Sequence, residues 1–357
     1  MTRWLALIAV CVLPTGLVAQ DKQEKTTESR ASILARAAVR LPGDVAARNA
    51  GLGPEEPGAF ALGATVHCTY LDKKMGGRSP KFACVTPEGD ELKVKYGGTN
   101  GEVYGEVAAT RLLWTLGFGA DRMYSVRVVC KGCPEIAGSI RTATGERIID
   151  PAAVERQIAG REILNRWSWK ELDLVDPAQG GASAAERDAM KLLAVLLQHA
   201  DSKPEQHRVV CVGEEAGAAA QGRCERPLMM ISDVGITFGR AYKLQPRASM
   251  HLAQWSKLPV WKDGPGCVGN LGDSLAATIS NPVIREEGRA LLADLLTQVT
   301  DDQLRGIFDA ARVHLRSRDP GDGRSGFSTA AEWVDAFKQK RAQIVDRRCD
   351  QPQTASR

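Results

Sequence analysis

The chain has 357 residues, enough for one large domain or two lobes with a sizeable core. Its hydrophobic content of 43% and charged content of 25% are ordinary globular values and indicate no particular function. The formal net charge is only +4, and acidic residues are interspersed with basic ones, so composition argues against a nucleic-acid-binding protein.

The N-terminus has the pattern of a secretory signal peptide. Arg3 precedes the apolar segment 4–13, and a small residue, Ala19, marks the expected cleavage site. We therefore expect residues 1–19 to be removed and the mature protein to be exported, either to a periplasm or out of the cell. The apolar segment is too short to cross a bilayer, so we expect no stable membrane span.

Residues 20–60 are predicted to form a flexible N-terminal arm. Acids and bases alternate along much of this segment, and residues 51–58 hold three glycines and two prolines. The stretch 31–40 is rich in alanine and arginine and is expected to add one or two amphipathic turns at most.

Eight cysteines follow the predicted signal peptide, and an even number in an exported chain indicates disulfides. Nearest-neighbour pairing predicts three bridges and leaves two distant cysteines for a fourth. The predicted pairs are Cys68–Cys84, Cys130–Cys133, Cys211–Cys224 and Cys267–Cys349. The two-residue spacing of the second pair also occurs in redox and zinc motifs. Because it closes a predicted strand and has no second pair nearby, a structural disulfide is the favoured interpretation.

From residue 64 the sequence changes to short strands. We predict strands over 64–71, 81–86 and 91–96, with a glycine-bearing hairpin connection at 72–80 between the first two. A fourth strand is predicted over 123–130. The first part of the chain is therefore expected to be rich in β-structure.

The hairpin connection has two features of interest. Cys68 and Cys84 are equidistant from Gly76, so a hairpin centred there would place the two cysteines opposite each other, as a bridge requires. Gly76 and Gly77 then lie at its tip, where a backbone without side chains can approach phosphate groups closely. An ordinary hairpin turn remains the alternative interpretation.

Two lysines and two glutamates follow the hairpin. Lys93 and Lys95 lie on one face of the third strand because side chains alternate along a strand. The helix predicted over 102–116 carries Glu106 beside its apolar face, with Glu102 as an alternative. Taken singly, a solvated strand lysine and a plain surface helix are the ordinary interpretations.

The second part of the chain is predicted to be mainly helical, with two apolar strands inside it. The predicted helices are 151–164, 185–199, 284–297, 301–313 and 329–347, and the predicted strands are 209–212 and 228–231.

Two short motifs flank these strands. HADSKPEQ at 199–206 follows the buried helix, and SDVG at 232–235 follows the strand 228–231. If both strands end near each other, Asp201 and Asp233 lie at one rim. One carboxylate that orients a hydroxyl and one that holds a divalent cation are the minimum that phosphoryl transfer needs.

These motifs resemble those of protein kinases. HADSKPEQ is similar to the kinase catalytic loop HRDLKPEN, and SDVG is similar to the metal-binding DFG triplet. The matching residues are His199, Asp201, Lys203, Pro204, Glu205, Asp233 and Gly235; the departures are Ala200, Ser202, Gln206 and Val234. Gln206 replaces a metal-ligating Asn, and its carbonyl would have to reach the metal from one methylene further out.

The resemblance implies an α+β fold with two lobes, as in protein kinases. We expect a β-rich N-lobe over 61–134, a mainly helical C-lobe over 135–347 and a tail at 348–357, with the nucleotide hinge near 129–134. Lys95 and Glu106 lie closer in sequence than in most protein kinases. This compactness is similar to that of atypical, lipid-kinase-like and secretory-type kinases.

The resemblance also implies a function, namely transfer of a phosphoryl group from ATP or another nucleotide to a hydroxyl on an unidentified protein or small molecule. The implied catalytic residues are His199, Asp201 and Lys203, the nucleotide-binding residues Lys95, Glu106, Gly76 and Gly77, and the ligands of Mg²⁺ or Mn²⁺ Asp233 and Gln206. Two alternatives stay open: a catalytically inactive kinase-like binding module, and an unrelated disulfide-stapled exported protein.

Overall fold

A computed structural model describes residues 28–213, 223–239, 249–272, 276–316 and 328–349. The predicted signal peptide at 1–19 and nearly all of the predicted tail at 348–357 lie outside these residues. Within them, no helix is long and apolar enough to cross a membrane.

The first lobe is a six-stranded sheet. Its strands are β1 (Thr65–Leu71), β2 (Lys81–Val85), β3 (Glu91–Tyr96), β4 (Arg122–Lys131), β5 (Ile140–Arg141) and β6 (Arg147–Arg156). The order is β3-β2-β1-β4-β6-β5, and β3 also pairs with β6, so five of the strands close into a ring. Closure leaves few unpaired edges and encloses a small apolar core that includes Phe82, Val94 and Val154.

The extent of this sheet corrects two predictions. Residues 151–164 were expected to be helical, but they form the end of β6 and the strand β7 (Arg161–Leu164). Alanine and glutamate favour a helix locally; here antiparallel pairing with β4 along nearly all of β6 determines the conformation. The lobe boundary predicted at 134/135 is therefore wrong, because the first sheet continues to residue 156. The chain crosses between the sheets at 157–160, not at the hinge predicted near 129–134.

A long helix, α2 (Glu102–Leu116), packs beneath the sheet, as predicted. All of its residues except Trp114 are buried. The helix ends at Gly117, whose left-handed backbone (φ 83°) suits glycine and whose N–H caps the last turn.

Residues 28–60 are packed against the protein, which corrects the predicted flexible arm. After the short helix α1 (Arg30–Ala35), the chain runs along α2, and Val39 and Val45 are at most 1% exposed. Arg111 on α2 donates a 2.7 Å hydrogen bond to the carbonyl of Gly51. The segment carries the glycines and prolines of a linker, but its apolar side chains pack against the rest of the fold.

The second lobe is mainly helical around a three-stranded sheet. Its elements are β7, α3 (Ala184–Leu197), β8 (His207–Cys211), β9 (Pro227–Ile231), α4 (Leu252–Trp255), α5 (Glu286–Thr297), α6 (Asp301–Ala310) and α7 (Ala330–Val345). Three tryptophans with no exposed area, Trp167, Trp255 and Trp333, lie in its core. The predicted α+β architecture, a β-rich first lobe followed by a mainly helical second lobe, is confirmed.

All four predicted disulfides are present: Cys68–Cys84, Cys130–Cys133, Cys211–Cys224 and Cys267–Cys349. The geometry of the first differs from expectation, because Cys84 lies opposite Tyr70 rather than Cys68. The hairpin is centred on Gly77 instead of Gly76. The bridge is therefore diagonal, between positions on the same face of the two strands.

Candidate active site

Strand pairing brings the two sequence motifs together. The register of β8 and β9 places His207 opposite Ile231, so the residues just before β8 and just after β9 are neighbours. The carbonyl of Gln206 accepts hydrogen bonds from the backbone N–H groups of Ser232 (2.7 Å) and Asp233 (3.3 Å). The loop with Asp201 and the loop with Asp233 therefore meet at one end of this sheet.

Asp201 is held by two neighbours in its own loop. The side-chain amide of Gln206 donates a 2.8 Å hydrogen bond to Asp201 Oδ2, and Lys203 Nζ lies 2.9 Å from Asp201 Oδ1. The Gln206 amide oxygen accepts a 3.3 Å hydrogen bond from the Lys203 N–H. The carboxylate is thus fixed in orientation while part of it still faces the space above the loop.

Lys95 is the centre of a buried ion-pair cluster between the lobes. Its Nζ lies 2.5 Å from Glu106 Oε1, 2.8 Å from Glu102 Oε2 and 3.6 Å from Asp233 Oδ1. The Lys95 side chain has no exposed area, whereas 31% of the Asp233 side chain is exposed. The pairing of Lys95 with a helix glutamate was expected with either Glu106 or Glu102, and both glutamates make it.

The cluster shifts the proton affinities of its members. Burial alone lowers the pKa of Lys95, yet the surrounding carboxylates, led by Asp233, outweigh burial and hold that pKa well above its ordinary value. Burial raises the pKa of Glu106 well above its ordinary value, although Lys95 opposes this. Burial acts in the same direction on Asp233, but Lys95 and then Lys93 hold its pKa well below the ordinary value. Asp233 is therefore ionised at neutral pH.

A cavity of about 340 Å³ lies between the lobes beside this cluster. Its wall consists of Gly77, Arg78, Ser79, Lys81, Glu102, Asp201, Lys203, Gln206, Asp233, Ile236 and Ala276. Asp201, Lys203, Gln206, Asp233 and Gly77 were predicted site residues, and the fold brings all five to this one cavity. Lys95 and Glu106 lie behind the wall, and exposed Gly76 is not part of it.

His199 does not reach the cavity wall. Its ring is buried, with its centroid 6.4 Å from that of Trp169 and 6.1 Å from that of His207. Burial lowers the pKa of His199 to about 4, so the ring is neutral at physiological pH. This location supports a packing role beneath the Asp201 loop rather than contact with a substrate.

Gly235 makes room for one of the carboxylates. A Cβ at this position would lie 2.9 Å from Glu102 Oε2, closer than such contacts occur in proteins. The N–H of Gly235 also donates a 3.0 Å hydrogen bond to Asp233 Oδ1. The glycine that follows Asp233 by two residues is therefore required for Glu102 to approach Lys95.

Three residues in the wall were missed or underrated in the sequence. Glu102 is four residues before Glu106, a spacing that puts both on one helix face, so both could have been expected at Lys95. Lys81 lies directly across the β2–β3 ladder from Lys95, a relationship that appears only once the two strands are paired. Arg78 is exposed on the hairpin and gave no signal of its own.

The side chains present fit a divalent cation of the Mg²⁺ type in part. Asp233 and Glu102 offer carboxylate oxygens to the cavity, and oxygen ligands are those that Mg²⁺ prefers. Among the described residues there is no group of three or more His, Cys, Asp and Glu arranged to hold a metal by themselves. Mg²⁺ commonly takes only one or two carboxylates and completes its shell with water and phosphate oxygens.

Comparison with protein-family models gives no match, and comparison with curated proteins gives none either. Among solved structures, the chain is similar to a Helicobacter pylori proinflammatory kinase, CtkA, with a TM-score of 0.44 and 11% identity over 79% of this chain and 95% of that one. It is also similar to the Golgi casein kinase, with a TM-score of 0.36 and 13% identity over 80% and 72% of the two chains. The same kinase with Mn/ADP bound gives a TM-score of 0.34 and 13% identity over 80% and 73%. All three are structures of kinases.

Proposed function

We propose that the protein is a phosphotransferase that moves a phosphoryl group from a nucleotide, bound with Mg²⁺ or Mn²⁺, to a hydroxyl acceptor. The observation that carries this proposal is the meeting of Asp201, Lys203 and Asp233 in one interlobe cavity backed by the Lys95–Glu106 ion pair. Phosphoryl transfer depends mainly on positioning and on neutralising charge, and these residue types supply both.

Asp201 is the proposed catalytic base. Its carboxylate accepts a hydrogen bond from Gln206 and lies at the cavity wall, where it orients the acceptor hydroxyl and accepts its proton as the new P–O bond forms. Lys203 Nζ, 2.9 Å from Asp201, lies on the same wall and neutralises the negative charge that develops on the transferred group.

Asp233 is the proposed metal ligand, with Glu102 and Gln206 beside it on the wall. A divalent cation held there would neutralise part of the negative charge of the phosphates. The low pKa of Asp233 supports the assignment, because a metal-binding carboxylate must be ionised. Lys95 and Glu106 fix the positions of Asp233 and Glu102 from behind, so the carboxylates meet the nucleotide in a set arrangement.

We infer that the protein acts outside the reducing cytoplasm. Four disulfides in one chain are typical of an exported protein. With the signal pattern of residues 1–19, this supports a periplasmic or extracellular location. The acceptor is proposed to be a protein or small molecule met there.

The proposal is tested with three purified variants, Asp201→Asn, Asp233→Asn and the control Asp302→Asn. Asp302 is an exposed carboxylate in the first turn of α6 and lies outside the cavity. Calorimetric titration with Mg·ATP and Mn·ATP measures binding, and γ-labelled ATP measures transfer to the protein itself or to water.

Asp201→Asn is expected to bind nucleotide within about threefold of wild type and to transfer roughly 10²- to 10⁴-fold more slowly. Asp233→Asn is expected to lose the metal-dependent part of binding, and Asp302→Asn to behave as wild type. An unchanged transfer rate in Asp201→Asn contradicts the mechanism.

A second candidate function, a kinase-like module that binds nucleotide without transfer, is favoured by the orientation of Gln206. Its amide oxygen is directed at the Lys203 N–H and its amide nitrogen at Asp201, so neither is offered to a metal. If this arrangement persists with nucleotide bound, wild-type protein will bind Mg·ATP but show no transfer above that of Asp201→Asn. Transfer by the wild type alone decides in favour of the enzyme.

A further inference from the structure

The β1–β2 hairpin brings two basic residues to the cavity. Arg78 and Lys81 line its wall together with Asp201 and Asp233. In the described part of the chain, neither the Arg78 nor the Lys81 side chain forms a hydrogen bond or an ion pair. Lys203, by comparison, lies 2.9 Å from Asp201, beside the proposed site of transfer.

Lys95 is poorly placed to contact phosphate directly. Its side chain has no exposed area, and three carboxylates surround its amine at 2.5 to 3.6 Å. The carboxyl groups already gathered around this one amine leave little attraction for a further anion. A phosphate group would also have to displace Glu102 or Asp233 to reach the Lys95 amine. Lys95 therefore holds the surrounding carboxyl groups in place. Another cation must then bind the phosphates of the nucleotide.

Lys81 lies in the cavity wall, which Lys95 does not reach. The β2–β3 register pairs Lys81 with Lys95, so the two side chains point to the same face of the sheet. Lys81 starts β2, at the cavity end of the strand, and is only half-buried. Burial, and then the charge of Lys95, lowers the pKa of Lys81, while Asp233 and Glu102 act in the opposite direction.

Gly77 supports this placement of the lysine. It has a left-handed backbone (φ 81°), and a Cβ there would lie 2.8 Å from Lys81 Nζ. The absence of a side chain at Gly77 thus leaves space for the Lys81 amine beside the hairpin. The same hairpin carries the glycine, the lysine and Arg78, so all three act on one part of the cavity.

We propose that Lys81, assisted by Arg78 at the rim, is the cation that binds the phosphate chain of the nucleotide, while Lys95 has a positioning role only. This inference rests on the proposed nucleotide-dependent function and assigns its phosphate-binding residue. A lysine is a point charge with three donors and suits a flexible polyphosphate.

The test compares Lys81→Met, Lys81→Arg and the control Lys74→Met, which removes the same charge from an exposed position of the same hairpin outside the cavity wall. Dissociation constants of ATP, ADP and adenosine are measured by calorimetry in the presence of Mg²⁺. Lys81→Met is expected to weaken ATP and ADP binding roughly 10- to 100-fold and to leave adenosine binding within about twofold. Lys81→Arg should restore most of the loss, and Lys74→Met should match wild type.

Three outcomes overturn the inference, and they are distinguishable. Wild-type affinity of Lys81→Met for ATP removes the role of Lys81 but leaves the proposed function intact. An equal loss of ATP and adenosine affinity indicates a structural effect instead of phosphate contact. Failure of the wild-type protein to bind any of the three compounds overturns the proposed function together with the inference. If Lys81→Met does not fold by circular dichroism, Lys81→Gln replaces it under the same criteria.

Discussion

Lys95 Nζ and Glu106 Oε1 lie 2.5 Å apart in the interior of the protein, joining the third strand of the first lobe to the helix beneath it. The contact is not an isolated pair, because Glu102 and Asp233 approach the same amine. The arrangement links the first-lobe sheet, α2 and the Asp233 loop through one charged group. Its loss should affect both stability and the geometry of the cavity.

We expect Lys95→Met to destabilise the protein strongly, because the substitution leaves three carboxylates together without a cation. Loss of one partner of a buried ion pair costs roughly 3 to 5 kcal/mol. The free energy of unfolding is measured with urea at pH 7. Lys338→Met is the control, since Lys338 pairs with Asp301 on the surface and its loss should cost less than about 1 kcal/mol. Equal losses in the two variants would mean that the buried cluster contributes no more than a surface pair.

Gly235→Ala is expected to reduce transfer activity at least tenfold while the protein remains folded. The new methyl group would meet the Glu102 carboxylate at 2.9 Å and push it away from Lys95. Gly272→Ala is the matched control, because a methyl group there meets nothing within 4 Å and its φ is not in the left-handed region. Melting temperature and transfer rate are measured for both. Full activity in Gly235→Ala would contradict the proposed need for close approach at this glycine.

The four disulfides are expected to differ in their contribution to stability. Cys267–Cys349 closes a loop with a sequence separation of 82, whereas Cys130–Cys133 closes one with a separation of 3. In the chain-entropy account, replacing both cysteines of the long-range bridge by alanine lowers the free energy of unfolding by about 4 to 5 kcal/mol. The same replacement at the short bridge lowers it by about 2 kcal/mol. Urea unfolding of the two double variants measures the difference. The reverse order would mean that strain or denatured-state structure outweighs loop entropy.

Lys340 is expected to make stability depend on pH in the alkaline range. Its side chain is buried in α7, its amine donates to the carbonyl of Leu258, and burial lowers its pKa to about 8. Between pH 8 and about 10.4, an unfolded lysine holds a proton that the folded one has released, so stability due to this residue rises with pH. The penalty is fully present below pH 8 and is gone above about 10.4.

Comparison with Lys340→Met isolates this effect from other titrations. The difference in unfolding free energy should shift in favour of the wild type by roughly 2 to 3 kcal/mol between pH 7.5 and 10.5, at about 1.4 kcal/mol per tenfold change in proton affinity. Denaturant unfolding at several pH values gives the difference. If it is constant across this range, the folded protein accommodates the charged amine without cost.

The features that the sequence predicted correctly depend on short stretches of chain. Helix α2 was predicted at its observed bounds because apolar spacing and a terminal glycine are local signals. Three of the four bridges join cysteines on adjacent strands or across short connections, so the nearest-neighbour rule predicted them. The two cysteines that remained form the fourth bridge. Asp201 and Asp233 were expected at one rim from the order of strands and loops, and both line the cavity.

The features that were missed depend on contacts between distant segments. Residues 151–156 have a helical composition and become a strand only because β4 and β3 lie beside them. Residues 28–60 carry the glycines and prolines of a linker, and their apolar side chains are buried only because distant segments, α2 among them, pack against them. Lys81 was not considered because nothing in its immediate neighbours distinguishes it from a surface lysine. Its importance arises from its register with Lys95, which is a property of the paired strands.

The nearly complete burial of α2 limits how far this helix can move. An outward swing of this helix would break the contact of Arg111 with Gly51 and that of Tyr104 with the carbonyl of Leu315, and would expose an almost entirely buried surface. We therefore expect the helix to stay in place after folding, so that Glu102 and Glu106 remain beside Lys95. Under the proposed function, control would then depend on the arrival of donor and acceptor at the cavity between the lobes.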